Sequence, residues 1–369
     1  MTRATHCVSL CACLAATGCS SHTETPGPGL GSVLPVIADE VVIPTYADLV
    51  SRASGLEDAT AVLCASPSTS ALQSARDAWR AVREPLKYAE GFSFGPMMDL
   101  RVDGALDFWP LREDSLAEAL ASTEPVTDEL IASASSASKG LPVIEYLLFA
   151  AESDDATLAN LAAGSTLGRN CAYLAALGRD VHRQATVVYE AWRPDAGNFR
   201  DELAKAGRGS EAYPKVQNAV SAVINELIAI AQQMEGMKLA TPLGKRDGGQ
   251  PQPEDVEAPF ADHGIEDLVA NLDGVRGVYS GSRNGRSRAS FTQAMNERQP
   301  ELNRAILDKI DDCRNADLAI PRPLSQAVVS SPAAVEGAFV CHKQLLRLLQ
   351  ADLAGTLGVT PTFNDSDGD

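Results

Sequence analysis

The clearest pattern in the chain lies between Pro214 and Gly236. Val216, Val220, Val223, Ile224, Leu227, Ala231 and Met234 recur at spacings of mostly three and four, which lays one apolar stripe along a helix. Pro214 suits the first turn and Gly236 the stop. Val335, Phe339, His342, Leu346, Leu349 and Leu353 form a second stripe and predict a helix over about 332–357. Further helices are predicted at about 264–281 and 287–316, so the second half reads as an up-down bundle. In the first half the pattern predicts helices over Tyr46–Cys64, Ser68–Lys87, 113–121, 125–135, Leu141–Ala151 and Thr157–Trp192. Residues 89–110 have no helical period and read as a long ordered excursion, whereas 240–262, rich in Pro, Gly and charge, read as an exposed loop. The expected fold is all-α: two tandem helical bundles, 36–196 and 197–369.

Composition agrees. A chain of 369 residues is longer than one compact domain usually needs, and 45% hydrophobic with only 5% aromatic residues suits close-packed helices. The formal net charge of −18 argues against nucleic acid or anionic lipid as the main partner. Such acidity serves solubility or attracts cations.

The N-terminus reads as an address. Arg3 precedes a short apolar run, Cys7–Ala16, too short to span a bilayer. Ala16-Thr17-Gly18-Cys19 resembles a lipobox, with Ala16 where the usual Leu would stand. Residues 1–18 are therefore expected to be a signal peptide, Cys19 the lipidated residue, and 19–35 a flexible tether; plain signal-peptide cleavage is the alternative. This places the protein in a bacterial cell envelope, on the periplasmic side. Ser20 is not the Asp associated with inner-membrane retention, which favours the outer membrane. Four cysteines then remain, and keeping each pair within one bundle favours Cys64–Cys171 and Cys313–Cys341, with buried free thiols as the alternative.

Several segments stand out chemically. Gly140-Leu141-Pro142-Val143-Ile144-Glu145 opens a helix, and the apolar neighbours of Glu145 imply a part-buried carboxylate that must be paired, hydrogen-bonded, metal-bound or protonated. The others are Ala78-Trp79-Arg80-Ala81-Val82-Arg83-Glu84-Pro85 with Glu90-Gly91-Phe92-Ser93-Phe94-Gly95-Pro96, Ala105-Leu106-Asp107-Phe108-Trp109-Pro110, Leu272-Asp273-Gly274-Val275-Arg276-Gly277-Val278-Tyr279, and Leu357-Gly358-Val359 with Phe363-Asn364-Asp365 and Asp367-Gly368-Asp369. At these residues, in order from about residue 36 to the end, the chain resembles the imelysin-like family, also called insulin-cleaving metallopeptidase-like or M75.

The resemblance implies an exported protein, often a lipoprotein linked to iron uptake, made of two helical bundles with a site at the interface between them near the Gly-x-His-x-x-Glu helix. Here Pro142 replaces that His, so only Gly140 and Glu145 carry over. Proline cannot ligate a metal, and HExxH is absent. Glu145, Asp107 and Asp367, as metal candidates for iron or another divalent or trivalent ion, are expected to converge with Arg83 and Arg276. Trp109, Tyr279, Asn364 and Gly140 complete the candidate binding set. His263 and Glu266 form an H-x-x-E pair at helical spacing, while His342 and His182 read as structural. The 365–369 run ends before the distal Glu of an EF-hand. The first reading is a non-catalytic envelope lipoprotein that binds a ligand, a metal or an iron- or haem-uptake partner. Alternatives are an M75-type metallopeptidase with other ligands, for which Glu145 is the one catalytic candidate, and an outer-membrane scaffold.

Overall fold

A computed structural model describes residues 29–164, 168–246, 248–283 and 289–362, and among these there is no β-strand. The described residues open on helix. α1 (Leu30–Ile37) passes through a π-helical turn (Ala38–Val42) into α2 (Ile43–Ala65). Val33, Leu34 and Ile37 are fully buried, and Gly31 passes close to Val216. The expectation of a tether to residue 35 is therefore corrected: the core begins at Leu30, behind a Gly-Pro-Gly stretch that masks a short apolar run. Cys19 lies outside the described residues.

Two helical groups follow. α2 packs between α3 (Thr69–Ala89) and α5 (Arg169–Trp192), with α4 (Leu141–Phe149) against α3. In the second half α6 (Val216–Glu235), α7 (Gly264–Ser280), α8 (Pro300–Leu318) and α9 (Pro332–Arg347) pack on one another. α3 also packs against α7, so one hydrophobic core runs through both groups. Disulfides Cys64–Cys171 and Cys313–Cys341 tie α2 to α5 and α8 to α9, with Cα–Cα distances of 5.4 and 5.3 Å.

Boundaries follow local chemistry. Ser68 caps α3 by accepting from the Ala71 N–H. The predicted helix 157–192 is two, Asp154–Ala162 and α5, separated near Gly164. The predicted 287–316 helix breaks at Pro300 into Phe291–Arg298 and α8. Gly236 does not stop α6. The chain continues through a π-helical turn, Gly236–Ala240, and a Cβ at Gly236 would lie 2.4 Å from Arg246 Nη2. That glycine makes room for a side chain; it does not end a helix. The excursion holds the short helices Pro96–Asp99 and Val102–Leu106.

The loop expected to be exposed at 240–262 is so only in part: Lys245, Arg246 and 248–251 are exposed. Val256, Glu257, Ala258 and Ala261 are buried, because Glu257 is drawn to buried cations described below. No single described helix is long and apolar enough to cross a membrane. Since Leu34 belongs to the core, Leu34→Ala is expected to cost about 2–5 kcal/mol. Urea unfolding checks this, and a loss near zero would restore the tether reading.

Candidate functional site

α3 and α7 face each other with polar residues one turn apart, Arg83 and Lys87 on one helix, Asp267 and Asn271 on the other. Arg83 Nε donates to both Asp267 oxygens at 3.1 Å and Nη2 to Oδ2 at 2.6 Å, while Nη1 reaches Asp107 Oδ1 at 2.8 Å. Asp107 follows the Val102–Leu106 helix. The Lys87 ammonium lies 2.6 Å from Glu90 Oε1 and 2.5 Å from Asp107 Oδ2, and it also pairs with Glu257. Lys238, from the π-helical turn after α6, reaches Glu90 at 3.1 Å, Glu257 at 2.9 Å and Asn271 Oδ1 at 2.7 Å. The Asn271 amide donates to the Lys87 carbonyl and to Glu90. That carbonyl is free because α3 ends two residues later.

Arg83 is 1% exposed and Asp267 fully buried, so each charge must be matched nearby. Burial alone would favour neutral Arg83 and Lys87. The surrounding carboxylates outweigh it and hold both pKa values well above their ordinary range. Burial would likewise raise Glu90 and Asp267. Lys238 and Lys87 bring Glu90 down to about 2, and Arg83 with His263 holds Asp267 far below the usual carboxylate range.

Beside this lattice opens a cavity of about 300 Å³, its wall carrying Glu90, Asp103, Asp107 and Glu226 with Phe108 and Trp109. Among the described residues, no Lys or Arg lines it. Burial, then the nearby Asp103, raises the Glu226 pKa to about 7.

Residues 42–350 match the imelysin family. The chain belongs to the imelysin family. It is 28% identical over 295 residues to iron-regulated protein A of Synechococcus elongatus, spanning 79% of this chain and 76% of that one. A crystal structure from Parabacteroides distasonis, assigned as an iron-regulated protein A precursor, superposes with a TM-score of 0.76 at 21% identity, covering 90% of this chain and 96% of that one. An imelysin-like protein from Psychrobacter arcticum gives 0.73 at 18%, covering 90% and 97%. At these identities the two structures speak for the fold.

The metal that the imelysin resemblance implies at the Pro142–Glu145 helix does not fit the residues present. Pro142 offers no ligand atom. Glu145 Oε1 accepts the backbone N–H groups of Phe260 and Ala261, both at 2.9 Å. The carboxylate holds down a turn in which Ala258 and Asp262 have φ of 48° and 52°, a costly conformation for residues other than glycine. Burial raises the Glu145 pKa to about 7, against the lowering effect of those two N–H groups and of Arg83. Gly140, at φ 82°, lets its backbone pass the Leu106 carbonyl, which a Cβ would meet at 2.6 Å.

The expected convergence holds only in part. Arg83 meets Asp107, and Trp109 lines the cavity beside it. Arg276 lies elsewhere, pairing with Asp311, and Tyr279 is buried with its hydroxyl donating to Asn303. Both face away from the lattice because they occupy a different side of α7. Asn364 and Asp367 lie outside the described residues. The H-x-x-E pair also separates: His263 Nδ1 meets Asp267 at 3.0 Å, while Glu266 pairs with Arg322. His342 pairs with buried Asp317, and His182 with Glu57. Sequence reasoning missed Lys87, Lys238, Glu257, Asp267 and Asn271. The available signal was Arg83/Lys87 and Asp267/Asn271, two polar i,i+4 pairs on two helices.

Glu90, Asp107 and Glu257 each bring one oxygen within 4.8 Å of the others, a spacing that could hold a metal. The Lys87 ammonium contacts all three carboxylates. Removing it should open the position: Lys87→Ala is expected to gain affinity for Mn²⁺ at least about tenfold by calorimetry, and an unchanged isotherm would show the triad is no cation site.

Glu145 gives a pH prediction. Its proton is held more tightly in the folded state than at the ordinary 4.5, so folding stability falls as pH rises between that value and about 7. Glu145→Gln keeps an acceptor without the charge. It should remove part of this slope between pH 5 and 8, while Glu145→Ala should cost about 1–3 kcal/mol by orphaning backbone donors. Denaturant unfolding at several pH values checks both; equal slopes in wild type and Glu145→Gln would contradict the assignment.

Proposed function

We propose that this imelysin-family protein is a non-catalytic, iron-linked binding protein of the bacterial envelope that takes a cationic ligand into the acidic cavity beside the charge lattice. The observation that carries this reading is a wall whose described residues include four carboxylates and no Lys or Arg. Two of the four, Glu90 and Asp107, are already held by Arg83, Lys87 and Lys238. Asp103 and Glu226 are the groups left to meet a ligand. Carboxylate oxygens are hard donors, suited to iron in its ferric form or to other hard cations. The name of the Synechococcus relative supplies the link to iron.

The address rests on sequence alone. Cleavage before Cys19 and acylation of that residue would tether the protein to the periplasmic side of the outer membrane, where an iron-uptake protein of the envelope would be its partner. A second reading, a metallopeptidase, draws on the Glu90–Asp107–Glu257 triad. It requires Lys87 to leave the oxygens it now pairs with, which the buried lattice opposes.

Calorimetry on the purified protein tests the proposal, with Fe³⁺ supplied as its nitrilotriacetate complex and haem in a parallel titration. Saturable uptake of Fe³⁺ from the complex is expected, weakened at least about tenfold in the Asp103→Asn/Glu226→Gln double variant. Binding untouched by that variant would overturn the assignment of the cavity. Metal-dependent cleavage of an unfolded protein substrate, abolished by Glu90→Gln, would replace it with the peptidase.

A further inference from the structure

The segment from Asp273 to Ser280 matched a family motif, yet the lattice does not use it. α7 has two polar faces. Asp267 and Asn271 turn toward the lattice, while Asp273, Arg276, Gly277 and Ser280 follow at helical spacing on a different face and line a separate cavity of about 560 Å³. α3 repeats the arrangement one residue out of phase: Arg83 and Lys87 point into the lattice, Glu84 and Tyr88 into this second cavity. The two cavities share no lining residue.

The second cavity is built around Tyr88. A Cβ on Gly277 would lie 1.6 Å from the Tyr88 hydroxyl, and one on Gly274 would lie 2.2 Å from the Tyr88 carbonyl, so two glycines one turn apart admit this residue. Tyr88 is 6% exposed, and among the described residues its hydroxyl has no hydrogen-bond partner. A buried donor without an acceptor is costly and calls for an explanation. The guanidinium of Arg283 stands 5.0 Å from the Tyr88 ring centroid, held by contacts of 3.3 Å to Asp48 and 3.4 Å to the Pro44 carbonyl. An orphaned hydroxyl donor on a ring with an arginine over its face matches an acid group on a ligand.

Acidity marks the other end. Burial, with the Glu84 charge adding to it, raises the Asp273 pKa against the lowering effect of Arg314 and Arg276. Asp273 has Arg314 at 3.4 Å. From Asp273 to Ser280 the helix rises roughly 10 Å, about the length of three extended residues.

The geometry points to a second binding site between α3 and α7 for a small zwitterion of short-peptide size, its carboxylate at Tyr88 and Arg283 and its ammonium at Glu84 and Asp273. The volume falls within the range usual for small-molecule pockets.

Calorimetry on the whole protein with triglycine as probe tests the site, alongside triglycine amide, acetyl-triglycine and inorganic phosphate. Triglycine should bind saturably, and both the amide and the acetylated form should bind at least about fivefold more weakly. Tyr88→Phe, which keeps the ring, and Arg283→Gln should each weaken triglycine by a similar factor without changing the melting temperature by more than a degree or two. Uptake of Fe³⁺ from its complex should be unchanged in both, so a failure here is distinct from a failure of the acidic cavity. No saturable triglycine binding, or binding that both variants leave intact, overturns the site. Acetyl-triglycine or phosphate binding as tightly as triglycine overturns the ammonium end.

Discussion

A guanidinium and a carboxylate that never see water, Arg83 and Asp267, set the terms for this molecule. Removing either charge from solvent is expensive, and Coulomb attraction offsets that cost only with close geometry and full hydrogen bonding. Arg83 therefore faces three carboxylates, and Asp267 takes a second contact from His263. The requirement extends outward. Asp107 must be brought in after a short helix, Glu257 from a buried loop, and Lys238 from a π-helical turn that extends α6 past Gly236. Features that look irregular taken singly share one cause: each brings a charge to the place where α3 meets α7.

The balance of that lattice bears on function. Arg83, Lys87 and Lys238 face Glu90, Asp107, Glu257 and Asp267, three cations against four carboxylates. His263 also sits on Asp267, and the adjoining cavity adds Asp103 and Glu226, with no Lys or Arg among its described lining residues. At three of the carboxylates an ammonium stands where a metal would otherwise be held. A lysine supplies charge but no open coordination position or bound water, which metal-assisted hydrolysis needs. Cation binding at the cavity would leave the lattice intact; peptidase chemistry at the triad would have to dismantle it.

What the sequence disclosed was whatever repeats. Apolar stripes with periods of three and four gave α6 and α9 closely, and the cysteines could be matched to helices within each bundle. Periodicity could not reveal α1, because Gly and Pro precede it and only a few apolar residues carry it. Nor could it reveal that Val256, Glu257, Ala258 and Ala261 are buried: a loop rich in charge looks solvated until its partner charges, far apart in sequence, are known. Glu145 illustrates the limit on sites. Its apolar flanks correctly implied burial, yet whether a buried carboxylate holds a metal or two backbone N–H groups depends on Phe260 and Ala261, more than a hundred residues away. Lys87 carried no motif at all, although its position one turn from Arg83 was visible.

The same two helices form the wall of both cavities, and this links them mechanically. Lys87 and Tyr88 are consecutive residues on α3, one committed to the lattice and the next seated against Gly277. Because packed helices have little free volume, α3 cannot rotate to relax one side without disturbing the other. The close approach at Gly274, where a side chain of any size would strike the Tyr88 backbone, fixes the helix separation at a point between the lattice and the second cavity. The charge lattice thus acts on both sites: it supplies two carboxylates to the acidic wall, and it holds α3 in the register that places Tyr88 under Arg283. A protein of this size can hold two dissimilar polar cavities a few residues apart because the most expensive interaction in its core has already fixed the elements between them.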